Sequence, residues 1–236
     1  MEQDTTYDFL AGAVLLVNKP KTWTSFDVVN KIRYALRSRL NVKKIKVGHA
    51  GTLDPMATGL LIICTGKATK KLNDFQGLPK AYSGTILLGA TTPSYDAETE
   101  EDATFPTEHI TPELLETARK EFLGTIEQIP PIFSAIKVDG VRAYKSARKG
   151  KTIEMKSRTV EIMDFKFTRV ELPEVDFTVT CSKGTYIRSL AYDLGKALGS
   201  GGYLTALHRD LIGDYGGTDV WELDALIAVL NERSDG

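Results

Sequence analysis

The sequence predicts an α+β fold, and two patterns support this prediction. Strand-like apolar segments and segments with helical periodicity follow one another irregularly, without the regular strand–helix alternation of a parallel sheet. Turn signals at Asp139-Gly140 and Leu172-Pro173-Glu174 indicate hairpins between neighbouring strands. Irregular order with hairpins favours α+β over a doubly wound parallel sheet. We expect residues 1–236 to form a single domain.

The first half of the chain begins with a strand at Ala13–Val17 and a helix at Ser25–Leu40. Thr24 and Asp27 have the spacing of a capping box, with Asp in the place of the usual Glu. Apolar residues at helical spacing predict the buried face of this helix: Phe26, Val29, Ile32, Leu36 and Leu40. The next elements are expected as a buried strand at Leu60–Cys64, a short helix near Ala68–Phe75, a strand at Ala81–Leu88 and an acidic loop at Thr91–Pro106.

The second half contains two strands and three helices with clear signals. Thr111-Pro112-Glu113 combines an N-cap residue, a first-turn proline and an acid that complements the helix dipole, so a helix is expected from there to Phe122. The remaining elements are expected as an antiparallel pair, Val160–Val170 with Val175–Ser182, and as helices at Thr185–Leu198 and Trp221–Asn231.

The composition excludes several classes of protein. Of 236 residues, 42% are hydrophobic and 26% charged, and no apolar run approaches the roughly 18–20 residues that span a bilayer. The acidic, polar N-terminus is not a secretory or transit signal, so we expect a cytoplasmic protein. Cys64 and Cys181 lie in apolar segments and are expected as buried free thiols. The three histidines, at 49, 109 and 208, lack zinc-ligand spacing, so no metal site is expected.

Positive charge is segregated along the chain although the net charge is only −1. Lys31–Lys46 contains seven basic residues and no acid, and Lys137–Arg158 contains eight basic residues against Asp139 and Glu154. Acids concentrate in Asp96–Glu121 and in the last twenty residues. Such segregation allows a near-neutral protein to present a basic face to phosphates, although charge runs are also common on ordinary solvated surface.

One glycine-rich stretch, Val47–Lys70, has the composition of a functional loop. Three glycines surround His49, Thr52, Asp54 and Thr58, a pattern that no amphipathic helix or strand produces. Pro55 favours an extended conformation for Asp54. Two interpretations remain open from these residues alone: a surface turn in which Asp54 bonds to its own backbone, and a site that holds one carboxylate in a fixed pose.

Common phosphate-binding and acyl-transfer motifs are absent. The sequence contains no G-x-x-x-x-G-K-[ST], no G-x-G-x-x-G and no G-x-S-x-G. The segment Cys181–Arg188 instead leaves a strand, turns at a glycine and enters a helix. An arginine in the first helical turn opposes the helix dipole unless an anion compensates it. The partner of Arg188 is either Asp54 or another nearby acid.

Four segments together resemble the TruB family, the tRNA pseudouridine-55 synthases. They are VNKPKTWTSFDVVNKIR, VGHAGTLDPMATGLLIICTGKATK, FSAIKVDGVRAYKSARKG and CSKGTYIRSLAYDLG, and they occur in family order between about residues 12 and 215. GHAGTLDP joined with KGTYIRSL is a highly specific combination. The resemblance implies the pseudouridine synthase fold, with a mixed, mostly antiparallel central sheet flanked by helices, and activity on uridine in the T-loop of tRNA.

The resemblance also implies roles for individual residues. Asp54 corresponds to the catalytic aspartate, Arg188 to the arginine that pairs with it, and Tyr186 to the active-site tyrosine. Substrate-binding residues are implied at Tyr82, which corresponds to the aromatic that stacks on the flipped uracil, at His49, Lys19 and Asp96, and at the apolar wall residue Leu207. Around Asp96, TTPSYDAE departs from the family's TDTxDxxG, with Pro93 in the place of an acid.

Residues 128–162 resemble the family's RNA-gripping insertion, in which Arg142, Lys145 and Arg148 are expected to bind the tRNA backbone. The expected partner is the T stem-loop of tRNA, with no obligate protein partner and no membrane. No C-terminal PUA domain is expected within the 236 residues. Isomerisation exchanges no electrons overall, so no cofactor is expected. Two alternatives remain: a pseudouridine synthase with another RNA target, and a non-catalytic RNA-binding or RNA-folding module.

Overall fold

The structure is a computed structural model that describes residues 7–134, 136–138, 140–143 and 154–232. Within these ranges the α-helices are Ser25–Arg39 (α1), Leu72–Gly77 (α2), Pro112–Glu121 (α3), Ile187–Ala197 (α4) and Leu223–Asn231 (α5). The strands are Val14–Lys19 (β1), Val47–Ala50 (β2), Thr58–Thr65 (β3), Lys80–Leu88 (β4), Ala90–Thr91 (β5), Ala103–Thr104 (β6), Gly124–Gln128 (β7), Lys137–Val138 (β8), Val141–Arg142 (β9), Arg158–Glu171 (β10), Glu174–Cys181 (β11), Gly202–Ile212 (β12), Tyr215–Gly216 (β13) and Trp221–Glu222 (β14). The predicted α+β class is confirmed.

The chain divides into two compact units. Unit 1 contains Met1–Lys80 and His208–Gly236, and unit 2 contains Ala81–Leu207. Strand β12 contributes its first six residues to unit 2 and the remainder to unit 1. Whether residues 1–236 fold as a single domain stays a prediction.

Unit 1 contains a mixed sheet with the strand order β14-β1-β3-β12, and β2 and β13 are added at its strands β3 and β12. Strands β1 and β3 are antiparallel, with Val17 opposite Leu61. Strands β3 and β12 run parallel, with Arg209 opposite Gly59. Strand β3 is buried on both faces, as predicted for Leu60–Cys64, because helices and loops cover each side of it.

Helix α1 follows the capping box predicted for it. The Thr24 hydroxyl accepts the Asp27 N–H, while the Asp27 carboxylate accepts the Thr24 N–H at 2.9 Å. The predicted buried face is wrong at Phe26, whose side chain is 60% exposed. Val28 and Ala35 are buried instead, because the packed face of the helix is centred on the Val28, Ile32 and Ala35 positions.

Unit 2 contains the strand order β12-β4-β11-β10-β7. The hairpin predicted around Leu172-Pro173-Glu174 is present, with Phe167 opposite Phe177 in the antiparallel pair β10–β11. Phe165 and Phe177 pack edge to face in the core of this unit, with ring centroids 5.9 Å apart. Helix α4 buries Leu190, Ala191 and Leu194, as its apolar periodicity predicts.

The two ends of the predicted arm, residues 128–162, lie in the sheet of unit 2. Gln128 ends β7 and pairs with Arg158 at the start of β10, and Val160 and Ile162 are buried core residues. Both ends of this segment therefore belong to the sheet of unit 2. Between them, β8 and β9 pair as a two-stranded hairpin, with Val138 opposite Val141, and Asp139 of the predicted turn lies outside the described residues.

Cys64 and Cys181 are both buried free thiols, as predicted. In the described part of the chain, no helix is long and apolar enough to cross a membrane.

Candidate active site

Asp54 lies in the turn between β2 and β3 of unit 1. The Ala57 N–H donates to the Asp54 carbonyl at 3.1 Å, which closes the turn, and the Thr22 N–H donates to the Pro55 carbonyl at 2.8 Å. The Asp54 side chain is half-buried. These two bonds hold the loop through its backbone.

Glycines at both ends of this loop have positive φ. Gly51 has φ 87° and Gly59 has φ 103°. A Cβ atom at Gly59 would lie 2.4 Å from the Arg209 carbonyl oxygen, a distance that real side chains do not adopt. Glycine at 59 is therefore required both by the backbone conformation and by the close approach of β12.

Arg209 is a buried arginine of unit 1 that the sequence patterns do not single out. It is 1% exposed, its Nε donates to the Leu60 carbonyl at 2.8 Å, and its Nη2 donates to the Gly51 carbonyl at 3.1 Å. One guanidinium thus joins the backbone before Asp54 to the backbone after it. The available signal was a lone arginine inside the apolar stretch that became β12.

Ser25 ties the start of α1 to the residue before Asp54. The Leu53 N–H donates to the Ser25 hydroxyl at 2.9 Å, and that hydroxyl lies 3.3 Å from the Leu53 carbonyl, to which it donates. Ser25 is 2% exposed, so these bonds are shielded from water. Helix α1, Arg209 and the glycines together fix the backbone that carries Asp54.

Lys19 is a fully buried lysine at the end of β1. Its Nζ donates to the Trp23 carbonyl at 2.7 Å and to the Pro20 carbonyl at 2.9 Å. Burial lowers the pKa of Lys19 to about 8, although the negative charge of Asp54 acts in the opposite direction. At pH 7 the lysine is cationic, and it favours the ionised form of the Asp54 carboxyl group.

His49 is a half-buried side chain of β2 in the same unit. Burial lowers its pKa, and the charge of Arg209 lowers it further, while a hydrogen bond with the Gly51 backbone raises it. The lowered pKa favours the neutral imidazole near pH 7.

Arg188 of unit 2 is held by three groups of the same unit. It is 3% exposed, and its Nη1 lies 3.4 Å from Asp96 Oδ2. Nη1 also donates to the Ser94 carbonyl at 3.0 Å, and Nη2 donates to the Phe133 carbonyl at 2.9 Å. An acid beside Arg188 was predicted, and Asp96 is one such acid. The pairing of Arg188 with Asp54 stays a prediction.

Asp96 is fully buried and its carboxylate fixes the loop around it. Asp96 Oδ1 accepts the Ser94 hydroxyl at 2.6 Å and the Glu98 N–H at 2.9 Å. The sequence TTPSYDAE, which departs from the family pattern, thus folds around Asp96 through its own hydroxyl groups.

Tyr186 is the N-cap residue of α4, one position before the predicted first turn. Its N–H donates to Gln128 Oε1 at 2.7 Å, and Gln128 Nε2 donates to the Tyr186 carbonyl at 3.0 Å. Gln128 is fully buried and was not predicted as a site residue. The Arg158 guanidinium lies 5.3 Å from the centre of the Tyr186 ring, a cation–π distance.

The remaining predicted residues fall into two groups. Tyr82 in β4 and Leu207 in β12 are both largely buried side chains of unit 2. Lys145 and Arg148 lie outside the described residues, and so does the side chain of Arg142, whose backbone belongs to β9. Unit 1 therefore contains Lys19, His49 and Asp54, whereas unit 2 contains Tyr82, Asp96, Tyr186, Arg188 and Leu207. Over the described ranges, no group of three or more His, Cys, Asp or Glu side chains is arranged to hold a metal ion.

Residues 37–187 match the family model described as "TruB family pseudouridylate synthase (N terminal domain)". The chain belongs to the TruB family. The resemblance found in the four sequence segments is thereby confirmed. The TruB match covers the Asp54 loop, β4 and the start of α4, so Asp54 and Tyr186 lie inside it and Arg188 directly follows its end.

TruB relatives match over nearly their whole length. A "tRNA pseudouridine synthase B" of Flavobacterium johnsoniae is 60% identical over 212 residues, which are 89% of this chain and 93% of that protein. A protein of the same name from Parabacteroides distasonis is 59% identical over 207 residues, 88% of each chain.

A solved structure has the same fold. The "Crystal Structure of a Cbf5-Nop10-Gar1 Complex" contains a chain that superposes with a TM-score of 0.71 and 28% identity over 93% of this chain. The match covers 54% of that chain, so this chain spans about half the length of the solved one. The predicted pseudouridine synthase fold is consistent with this superposition.

Proposed function

We propose that this chain isomerises uridine to pseudouridine in tRNA, at position 55 in the T-loop, with Asp54 as the catalytic carboxylate. One observation carries the proposal: in a TruB-family chain, a loop fixed through its backbone presents the Asp54 carboxylate beside the cationic Lys19. The high identity to proteins called tRNA pseudouridine synthase B supports tRNA as the substrate.

The reaction needs only rearrangement within one nucleotide. The N1–C1′ bond breaks, the uracil turns, and a C5–C1′ bond forms, after which C5 loses its proton and N1 gains one. The Asp54 carboxylate either captures or stabilises the positive charge at C1′, or takes a proton from the sugar. Electrons balance without a redox partner, so we propose that the enzyme uses no cofactor.

The surrounding cations are suited to keeping Asp54 ionised. Lys19 supplies one positive charge within unit 1. Arg188 supplies a second in the proposed site, where it pairs with Asp54 while its other donors bind the Ser94 and Phe133 carbonyls. A positive neighbour favours the charged form of a carboxyl group and therefore offsets the effect of burial.

The target base must leave the stack of the tRNA loop to reach Asp54. We propose that the Tyr82 ring stacks on the flipped uracil, since an aromatic face offsets the few kcal/mol of unstacking. Neutral His49 fills the space that the base leaves, and Leu207 forms an apolar wall. Tyr186 either relays a proton or supports the aspartate, and the Gln128 amide holds its backbone in both directions.

Asp54→Asn tests the catalytic assignment directly. The amide keeps the size of the side chain but removes its charge, so release of tritium from C5-labelled uridine in tRNA should fall to background. Folding and tRNA affinity should survive, because the amide keeps the size of the side chain and Arg209 and Ser25 hold the backbone of the loop. Thermal melting and filter binding measure both. A variant that binds tRNA and releases tritium near the wild-type rate would exclude Asp54 as the catalytic group.

The same assay identifies the target. Sequencing of the product at single-nucleotide resolution should place pseudouridine at position 55 of the T-loop, both in full tRNA and in an isolated T stem-loop. Modification of another RNA position alone would support the alternative target, and binding without any product would support the non-catalytic module. We further propose that the enzyme acts in the cytoplasm and that it binds tRNA without an obligate protein partner.

The basic arm is proposed to grip the tRNA backbone. Changing Arg142, Lys145 and Arg148 together to Glu should weaken tRNA binding and reduce its dependence on salt. Binding releases counterions from each contacted phosphate, so fewer are released when these contacts are lost. Filter binding between about 50 and 200 mM salt measures the slope of affinity against salt concentration. Over this range a protein that binds about six to ten phosphates loses a factor of about 10³–10⁵ in affinity. As a control, Lys120 and Lys166, which are exposed on α3 and β10, should tolerate the same reversal with little change. Unchanged affinity and slope in the triple variant would remove the arm from the binding surface.

A further inference from the structure

The loop before Asp96 contains a tyrosine in an uncommon backbone conformation. Tyr95 has φ 62°, in the left-handed region that non-glycine residues seldom occupy. The Tyr95 N–H donates to the Thr92 carbonyl at 3.1 Å, which closes a turn with Pro93 at its second position. The proline that departs from the family pattern is therefore the residue that starts this turn, because its ring fixes φ near the value that the turn needs.

Tyr95 stacks on Tyr192 of α4. The two rings lie 4.0 Å apart between centroids with an angle of 17° between their planes. Both side chains are half-buried, and burial raises the pKa of Tyr95 to about 12, so its ring is uncharged at any working pH. A strained backbone conformation persists only where its surroundings fix it, and the stack is one such constraint.

Tyr192 lies one helical turn after Arg188 on the same face of α4. On the loop, the three consecutive residues 94–96 all contact this face. The Ser94 carbonyl accepts Arg188 Nη1 at 3.0 Å, the Tyr95 ring stacks on Tyr192, and Asp96 lies 3.4 Å from Arg188 Nη1. The left-handed residue thus lies between the two groups that hold the guanidinium.

The loop is also held from its other side by β12. The Leu204 N–H donates to the Tyr95 carbonyl at 3.1 Å, and the Ala97 N–H donates to the Leu204 carbonyl at 3.0 Å. These bonds fix the backbone of residues 95–97 but do not reach Ser94. Ser94 is bonded within the loop to Thr99 and Asp96, and the Tyr95 ring adds a contact that joins this loop to α4 beside the Arg188 bonds.

We propose that the Tyr95–Tyr192 stack is a positioning pair for Arg188. It joins the loop to α4 one turn from the guanidinium, and so keeps the Ser94 carbonyl and the Asp96 carboxylate against Arg188 in one geometry. This inference rests on the proposed function, in which Arg188 supports the Asp54 carboxylate. The two tyrosines act only through Arg188 and need not touch the substrate.

The test removes the stack from each side separately. Tyr192→Leu keeps a large apolar helix former but loses the ring, and Tyr95→Asn tolerates the left-handed conformation but loses the ring. Tyr95→Phe and Tyr192→Phe are the matched controls, because each keeps the stacked faces. With enzyme in excess over tritium-labelled tRNA, single-turnover rates of the Leu and Asn variants should fall about three- to tenfold, the range typical of aromatic pairs. Their tRNA dissociation constants should stay within about twofold of the wild type, and the Phe variants should match it.

A double-mutant cycle separates positioning from general destabilisation. In an Arg188→Lys background, Tyr192→Leu and Tyr95→Asn should cause no further loss of rate, because the group that they position is already gone. The same fractional loss in both backgrounds, unchanged rates in the wild-type background, or an equal loss in the Phe variants would overturn the proposal. Loss of cooperative melting in both the Leu and Asn variants would also overturn it, since the stack would then be an element of stability. A wild-type enzyme that forms no pseudouridine would reject the proposed function instead.

Discussion

The loops around Asp54 and Asp96 each present one carboxylate, but they are held in opposite ways. The Asp54 loop is held by its backbone, through Arg209, Ser25 and the close approach at Gly59. The Asp96 loop is held by its carboxylate, which accepts from Ser94 and Glu98 and lies beside Arg188. The buried Asp96 carboxylate is itself part of its loop's hydrogen bonding, whereas the Asp54 loop has backbone contacts that do not involve its carboxylate.

The buried cations differ in the same way. Arg209 donates to two backbone carbonyls and acts on the shape of the Asp54 loop. Arg188 donates to carbonyls as well but also faces a carboxylate, so it acts on charge. The two units thus use similar buried arginines for different purposes, and the comparison predicts different responses to substitution.

The largest effect is expected at Arg209. Arg209→Met keeps much of the buried volume but leaves the Gly51 and Leu60 carbonyls without their donor, so unfolding free energy should fall by about 2–4 kcal/mol. The single-turnover rate should fall as well, because the Asp54 loop loses its connection to β12. Arg169→Met, which removes a partly exposed arginine from a surface network, is the control and should cost under about 1 kcal/mol. Urea unfolding measures both, and equal losses would contradict the comparison.

A smaller effect is expected at Asp96. Asp96→Asn keeps an acceptor for Ser94 and Glu98 but removes the negative charge beside buried Arg188, and should lower unfolding free energy by about 1–3 kcal/mol. Asp54→Asn should destabilise less, because Asp54 is half-buried whereas Asp96 is fully buried. Turnover should follow the reverse order, with Asp54→Asn the more damaging. If Asp54→Asn proves the less stable variant, the division between structural and chemical carboxylates fails.

A third effect is a pH dependence from Lys19. Its pKa is about 8 in the folded protein against 10.5 as the ordinary value, so the unfolded chain binds more protons between these two pH values. Lys19 therefore destabilises the fold below about pH 8, and this penalty is relieved as pH rises toward 10.5. Unfolding free energies of the wild type and of Lys19→Met, measured by urea from pH 7 to 10, should show the wild type gaining relative to the variant. A constant difference across this range would contradict the lowered pKa.

Features fixed by neighbours in sequence were predictable. The capping box of α1, the start of α3 at Thr111 and the hairpin between β10 and β11 depend on local spacing, and the structure contains all three. The TruB motifs likewise lie in continuous segments, so the family could be identified from the sequence alone. The contacts that these segments make with distant parts of the chain could not be predicted from the sequence.

Features fixed by distant contacts were missed. Strand β12 begins with three successive buried residues and contains the buried Arg209, so its sequence lacks the regular alternation that identifies a strand. Strand β2 contains glycine and histidine and is formed by pairing with β3. Phe26 fitted the apolar periodicity of α1 and is nevertheless exposed, since packing partners choose which arc of a helix is buried. The Gln128 bonds to Tyr186 span 58 residues, a separation that no local pattern reports.

The two cysteines allow local unfolding of this protein to be measured by thiol labelling. Cys64 lies in unit 1 and Cys181 in unit 2, and the sequence contains no other cysteine. Both side chains are buried, and neither forms a disulfide. A maleimide reaches such a thiol only when the surrounding strand opens, and burial raises the pKa of Cys64 to about 11, which further suppresses its reactive thiolate. Mass spectrometry of labelled peptides therefore gives a separate labelling rate for each unit, with and without bound tRNA. No cysteine has to be introduced for this measurement.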